Sequence, residues 1–529
     1  MVKPRVVVAE PIADAGIRAL AESCEVDIAT GAARDELMAR LEGAEGLVVR
    51  SATRVDREMI EAATRLRVVG RAGIGVDNID LAAATERGVL VVNAPNANTV
   101  SAAEHTMALL LAQARNVPRA HGALVSGKWE RKGFEGVELH GKTLGVIGLG
   151  KIGTLVAQRS LAFGMHLLAF DPYVSEDRAR RLGVELVDLD RLLAESDFIT
   201  IHLPKTKDTQ GLLGKDGLNK VKSGVRVVNT SRGGIIDEAA LAEAIRSGRV
   251  GGAALDVFEV EPLTDSPLFD LPQVVLTPHL GASTAEAQDK AGIDVAEAVA
   301  AALRGELVLS AVNVDLGREV SEDVRAFLPL AERLGRAFVG LAQGLPASLQ
   351  VRAEGRIATH GLRPLQLAVL KGALQAVSTE PVSFVNAPTL AEQRGILLEL
   401  ESSEESVEYI SSLGVSGTVG DREVSLSGTV ARKGPMLVEI MGHEVELPFS
   451  PHVLIIRNSD TPGVIGRVGT YLGDQRVNIA NMVVGRSRTT GEAAMMGMNV
   501  DQTLSEDQLD GLRQLEGIIE ARYLELGPV

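Results

Sequence analysis

The sequence predicts an α/β protein in which two doubly wound parallel sheets are followed by two smaller α+β units. Three observations predict it. Short Val-rich runs alternate with amphipathic helical patterns over the first half of the chain. A glycine-rich turn joins the buried run Leu144-Gly145-Val146-Ile147 to a helical segment, Thr154–Phe163. The last stretch reads strand, helix, strand, strand, helix, strand.

With 529 residues the chain is too long for one core, so three or four domains are expected. Hydrophobic residues make up 45% and charged residues 23%, as in globular proteins. Aromatics are only 3%, so the cores must be built from Val, Leu, Ile and Ala. A net charge of −16 disfavours nucleic acid and anionic membranes as partners, although a local basic pocket can still take an anion. The single cysteine, Cys24, excludes an intrachain disulfide and fits a reducing cytoplasm. Val6–Ala9, stopped by Glu10-Pro11, reads as a first strand and not a signal peptide. No run approaches the ~20 apolar residues of a membrane span.

Strands are expected at Val6–Ala9, Val26–Ile28, Gly46–Val49, Leu66–Val69 and Val89–Val92, with helices such as Ala13–Ala21 and Arg34–Leu41 between them. A helix then starts near Thr99, where Ser101 and Glu104 have capping-box spacing. The second series places strands at Leu144–Ile147, His166–Phe170, Phe198–Ile201, Val225–Val228, Ala253–Val257 and Val274–Leu276, and a long helix at Thr284–Leu303. Residues 315–350 look helical, and residues 351–450 mix strands and helices. The closing unit has strands at Val453–Ile456, Ile479–Val484, Ala493–Val500 and Ile519–Leu526. Its helices fall at Val464–Leu472 and Ser505–Leu515.

Gly148-Leu149-Gly150-Lys151-Ile152-Gly153 lies between a strand and a helix, the context that makes this spacing a dinucleotide-binding signal. Gly148 permits the tight turn, Gly150 lets backbone approach a pyrophosphate, and Gly153 lets helix and strand pack closely. Asp171 ends the next strand, where a carboxylate meets ribose hydroxyls and repels a 2′-phosphate. NAD is therefore expected over NADP.

Three later segments deliver polar residues to strand ends: Asn229-Thr230-Ser231-Arg232, Asp256 through Glu261, and Thr277-Pro278-His279. Open α/β sheets bind ligands at that edge. Oxidising a 2-hydroxy acid requires a base for the hydroxyl proton, and a histidine serves near neutrality. His279 is assigned as acid/base, Glu261 as its partner and Arg232 as the fork on the substrate carboxylate. Asp256 is placed on the nicotinamide side. No metal site is expected.

These motifs resemble the D-isomer-specific 2-hydroxyacid dehydrogenases, as do Arg71–Asp80 and Asn93–Glu104. The resemblance covers about residues 1–313. It implies a Rossmann NAD domain at 99–280 and a flavodoxin-like, discontinuous substrate domain at 1–98 and 281–313. Within the family the likeness is to the long-form branch that oxidises 3-phosphoglycerate. That likeness implies an intervening domain at 314–451 and a ferredoxin-like ACT domain at 452–529. It adds Lys151, Ile152, Thr230, Ser231, Gly281 and Ala282 to the cofactor site, together with Arg232, Asp256 and His279, which also border it. It also implies that Arg50, Ser51, Ile74, Gly75, Asn98, Arg232 and Gln288 hold the substrate. Ala52 stands where some relatives carry a basic residue, for which Arg54 or a neighbouring subunit could compensate. Paired ACT units bind amino acids at their interface, so Asn458, Asp460 and Asn478 are the implied contacts for an L-serine effector. A homo-oligomer, with a tetramer favoured, and a subunit contact at Trp129 complete the expectation. The alternatives are a glyoxylate, hydroxypyruvate or 2-hydroxyglutarate enzyme and a non-enzymatic NAD-sensing corepressor. Both groups keep the trio; the long C-terminal extension disfavours the first, and the ACT-like tail and the acidic charge disfavour the second.

Overall fold

The computed structural model describes residues 3–317, 320–378, 382–432, 434–486 and 493–527. The first sheet comprises β1 (Arg5–Val8), β2 (Glu25–Ile28), β3 (Gly46–Val49), β4 (Val68–Arg71) and β5 (Leu90–Asn93). Its order is β2-β1-β3-β4-β5 and all its pairings are parallel. Val6, Val7, Val48, Val68, Val69 and Val91 are wholly enclosed, because helices cover both faces. One cover is the long helix Ala285–Leu303, which returns from later in the chain to pack on this sheet through Val295 and Val299.

The second sheet comprises β6 (Thr143–Ile147), β7 (His166–Phe170), β8 (Glu185–Leu186), β9 (Phe198–Ile201), β10 (Val225–Asn229), β11 (Val250–Leu255) and β12 (Val274–Leu276). Its order is β12-β11-β10-β9-β6-β7-β8, again parallel. The strand order reverses between β6 and β9, which opens a crevice at their carboxyl ends.

The third sheet contains β13 (Ser348–Gly355), β14 (Leu397–Ser403), β15 (Ser411–Val419), β16 (Arg422–Ala431), β17 (Gly434–Ile440) and β18 (His443–Pro448). Helices Glu322–Ala342 and Arg363–Gln375 pack against it and against each other. Gly335 and Gly372 allow the close approach, since a Cβ on either would strike backbone of the facing helix, at Val369 and Glu332. The fourth sheet contains β19 (His452–Ser459), β20 (Ile479–Arg486), β21 (Ala493–Val500) and β22 (Ile518–Glu525), in the order β20-β21-β19-β22 of a ferredoxin-like unit. Val453, Ile455, Met495 and Leu524 join the core of the preceding unit, so the two C-terminal units share one interior.

Local departures from the sequence reading have physical causes. The capping box at Ser101 and Glu104 does not form. The helix Thr99–Ala114 starts earlier with Asn98 at its N-cap, Ser101 Oγ bonds Thr284 Oγ1 at 2.8 Å, and Glu104 faces Arg159 at 3.5 Å. A true capping box starts the helix Glu506–Arg513, between Ser505 and Gln508. The strand expected at Leu66–Val69 begins at Val68, because Leu66 N–H still closes a turn onto Ala63. β11 ends at Leu255, leaving Asp256 and Val257 in the loop that follows. The edge strand β8 had no expectation at all. Among the described residues no helix is long and apolar enough to cross a membrane, and no metal-binding cluster is present.

Candidate functional site

The glycine turn follows β6. Gly148 has φ +97°, and a Cβ there would lie 2.7 Å from the His202 carbonyl oxygen. A Cβ on Gly153 would strike the Gly148 carbonyl, whereas one on Gly150 meets nothing within 4 Å. Gly150 is therefore the open position where a ligand can approach backbone. Gly150 is also the N-cap of the helix Lys151–Ala162, and no side chain caps its N–H groups. Asp171, just past β7, accepts from Leu149 N at 2.8 Å and Tyr173 N at 2.9 Å, which fixes its carboxylate beside the turn. Lys151 Nζ reaches Asn96 Oδ1 on the other lobe. An open glycine, an uncapped helix start and a fixed carboxylate at the ribose position fit NAD.

β10, β11 and β12 are neighbours, so the loops leaving them emerge on one edge. Asn229, almost fully buried, clamps the first. Its Oδ1 accepts from Ser231 N at 3.0 Å and Ser231 Oγ at 2.8 Å, and its Nδ2 donates to the Arg232 carbonyl at 2.9 Å. Thr230 Oγ1 bonds Thr106 Oγ1 at 2.6 Å. The Arg232 guanidinium passes directly over Gly75, where any Cβ would collide with it, and its Nε lies 3.5 Å from Asp77.

His279 Nδ1 lies 2.7 Å from Glu261 Oε2, and Glu261 Oε1 accepts from Phe258 N at 2.9 Å. Burial pushes the Glu261 carboxyl up, but the His279 and Phe258 hydrogen bonds outweigh it and leave the group below its ordinary range. His279 itself has φ +55°, a left-handed conformation rare outside glycine. Asp256, 0% exposed, holds that turn: it accepts from Thr277 Oγ1 (2.6 Å), Leu280 N (2.7 Å), Gly281 N (2.8 Å) and His105 Nε2 (3.2 Å). These contacts add a bracing role to the nicotinamide-side position expected for Asp256 from the sequence. Ala282 follows Gly281 and is half-buried.

On the facing lobe, Glu10 accepts from the N–H groups of Arg50 (2.9 Å), Ala52 (3.1 Å) and Thr53 (2.8 Å), which pins the loop carrying Arg50 and Ser51. Asn78 Nδ2 donates to the Arg50 and Thr53 carbonyls. The Ile74 carbonyl accepts from Asn93 Nδ2 at 2.6 Å. Asn98 Oδ1 is buried without a partner, and Gln288 is exposed on the first turn of the returning helix. Sequence reasoning missed Arg71, at the end of β4. Its Nε is buried without a partner, and no carboxylate pairs with it among the described residues. Burial lowers its pKa, and the positive charges of Arg232 and Arg50 add to that against Asp77 and Glu10. Three guanidiniums thus converge on one cleft, and the innermost has no anion. The available signal was its place at the head of the family-like segment Arg71–Asp80, just past a Val-rich run.

The C-terminal candidates are not brought together within one chain. Asn458, whose Oδ1 is buried without a partner, pairs across to Ala494, and Asp460 lies near it, 3.0 Å from Arg486 Nε. Asn478 precedes β20 at the opposite end of the sheet, where its Nδ2 donates to Asp501 at 2.5 Å.

Comparison with known proteins identifies the parts of the chain. Residues 107–281 match the model for the D-isomer specific 2-hydroxyacid dehydrogenase NAD binding domain. Residues 323–441 match that for the D-3-phosphoglycerate dehydrogenase intervening domain, and residues 452–517 match the ACT domain. The chain is 48% identical to D-3-phosphoglycerate dehydrogenase of Mycobacterium leprae, over 95% of this chain and 96% of that protein. It is 46% identical to the Archaeoglobus fulgidus enzyme of that name, over 99% and 100%. Among solved structures, a glyoxylate reductase from Paecilomyes thermophila superimposes with TM-score 0.54 at 30% identity, covering 59% of this chain and 99% of that one. The apo D-lactate dehydrogenase from Escherichia coli gives 0.52 at 30%, covering 58% and 99%. The shorter structures account for the catalytic lobes, the full-length relatives for the two C-terminal units as well, and the chain belongs to the D-3-phosphoglycerate dehydrogenase family of D-isomer-specific 2-hydroxyacid dehydrogenases.

Proposed function

We propose that the chain oxidises 3-phospho-D-glycerate to 3-phosphohydroxypyruvate with NAD, the first step of the phosphorylated route to L-serine, and that L-serine feeds back on it. The observations that carry this reading are the His279–Glu261 pair at the strand edge and the nearness of the Arg50, Arg71 and Arg232 charges, Arg232 coming from the neighbouring loop of that edge. A substrate with a carboxylate at one end and a phosphate at the other supplies an anion for Arg71, which has no paired carboxylate, and a better partner for Arg232 than the exposed Asp77.

With Nδ1 committed to Glu261, His279 presents Nε2 to the substrate hydroxyl and takes its proton. NAD, when bound, supplies the acceptor for the hydride leaving C2. The C–O bond becomes a carbonyl as the proton and hydride depart. Glu261 stays ionised and favours the imidazolium that forms. Arg232 forks onto the substrate carboxylate, while Arg50 and Arg71 take the phosphate, the basic charge that Ala52 does not provide.

The test is a panel with NAD: 3-phosphoglycerate, glycerate, lactate and 2-hydroxyglutarate, each with and without serine. 3-Phosphoglycerate is expected to give the highest kcat/KM, and equal rates with glycerate would defeat the phosphate assignment. Arg71→Gln is expected to raise KM for 3-phosphoglycerate about 10- to 100-fold, the scale of a lost charge-assisted hydrogen bond, and to spare glycerate.

The effector reading requires a second chain, because Asn458 and Asp460 lie at one end of the sheet and Asn478 at the other. Edge-to-edge pairing would set them face to face. Serine is expected to lower the rate and raise Tm, and no effect on either refutes the effector. A homo-oligomer, as a tetramer in the cytoplasm, fits Trp129, which is 81% exposed beside the helix Val117–Val125, itself without a buried residue.

A further inference from the structure

The helix Thr99–Ala114 begins where the chain crosses from the first lobe to the second. Its first turns carry polar side chains that the proposed chemistry does not use, and each touches a different loop of the catalytic edge. Ser101 Oγ meets Thr284 Oγ1 at 2.8 Å, at the start of the returning helix. Thr106 Oγ1 meets Thr230 Oγ1 at 2.6 Å, two residues before Arg232. His105 Nε2 lies 3.2 Å from Asp256 Oδ1 and 3.1 Å from Thr277 Oγ1. Residues one turn apart on a helix face the same way, so Ser101 and His105 share one stripe.

His105 occupies the decisive place in that stripe. Asp256 is fully enclosed, and an ionised carboxylate only accepts, so the contact requires a proton on His105 Nε2. Asp256 in turn holds Leu280 N and Gly281 N, the two amides that follow His279. His279 sits in a left-handed conformation that persists only when its surroundings over-determine it. We infer that His105 is a positioning residue: its Nε2–H anchors Asp256 to the interdomain helix, and Asp256 thereby fixes the turn that aims His279. The inference rests on the reading of His279 as the acid/base group.

The experiment measures kcat, KM and Tm of the full-length enzyme with NAD and 3-phosphoglycerate for the wild type, His105→Leu and His105→Gln. An imidazole displaced by about 1 Å loses on the order of 10²-fold in rate. His105→Leu, which leaves the other three Asp256 donors in place, is expected to lower kcat about 10- to 100-fold while KM stays within about twofold. His105→Gln sets an amide N–H near the Nε2 position and is expected to recover most of the lost kcat. Should His105→Leu fail to fold, Thr277→Val removes the neighbouring Asp256 donor and is expected to show the same split. Overturning results are an unchanged kcat in these variants, or a loss in kcat that a proportional rise in KM accompanies and glutamine does not rescue. A wild type inactive on 3-phosphoglycerate would instead defeat the functional reading itself, so the two failures are separable.

Discussion

Replacing His279 by glutamine is expected to lower kcat for 3-phosphoglycerate oxidation about 10²- to 10⁴-fold, the usual contribution of a positioned general base, with NADH affinity unchanged. Glutamine can still bond Glu261 and fill the space, but it cannot take the hydroxyl proton. Kd for NADH, read by fluorescence, separates chemistry from cofactor binding, because the glycine turn and Asp171 lie on other strands. Glu261→Gln is expected to lose less. The imidazole remains, but the carboxylate that orients Nδ1 at 2.7 Å and favours the imidazolium is gone. A His279→Gln enzyme within threefold of wild type would remove the base from the mechanism.

Arg232→Lys is expected to lower kcat/KM about 10²- to 10³-fold, from the loss of two parallel charge-assisted hydrogen bonds. Lysine keeps the charge and loses the fork, so the effect isolates geometry from electrostatics. The guanidinium lies against Gly75, where a Cβ would strike its terminal nitrogen, so its orientation is set by close neighbours. Glycerate and 3-phosphoglycerate both carry the carboxylate, so Arg232→Lys should impair both. That pattern differs from Arg71→Gln, which should spare glycerate, and steady-state comparison of the two substrates distinguishes them. Asp77 is largely solvent-exposed, so weakening its contact with Arg232 costs little.

The frame of the two parallel sheets was legible because buried strands are written as short apolar runs, and Gly46–Val49, His166–Phe170 and Phe198–Ile201 fall where those runs predict. The glycine turn was legible because its spacing, strand and helix are all local. What was not legible depends on contacts distant in sequence. The helix begins at Thr99, so Ser101 lies inside its first turn and its hydroxyl bonds Thr284 instead of capping. The left-handed His279 and its bracket need Asp256 and His105 from other segments. An arginine left without an anion, as at Arg71, is a statement about burial and missing partners that no motif expresses. The separation of Asn458 from Asn478 follows from antiparallel register, which residue identity at either position does not reveal.

The most direct test is the pH dependence of kcat/KM for 3-phosphoglycerate oxidation in the wild type and in His279→Gln. The oxidation needs a neutral imidazole, so the rate should rise with pH along a one-proton limb and then level off. Glu261 and Asp256 have depressed values, so each carboxylate brace is present above the ordinary carboxylate range and is lost only as pH falls through the lowered value, below the limb. His202, beside the glycine turn, is pushed down to about 4 by burial and stays neutral throughout. The phosphate of 3-phosphoglycerate also takes up a proton near this range, so the profile is taken with glycerate as well, and the limb common to both substrates should belong to His279 and vanish in His279→Gln. The same limb, undiminished in that variant, would contradict the account.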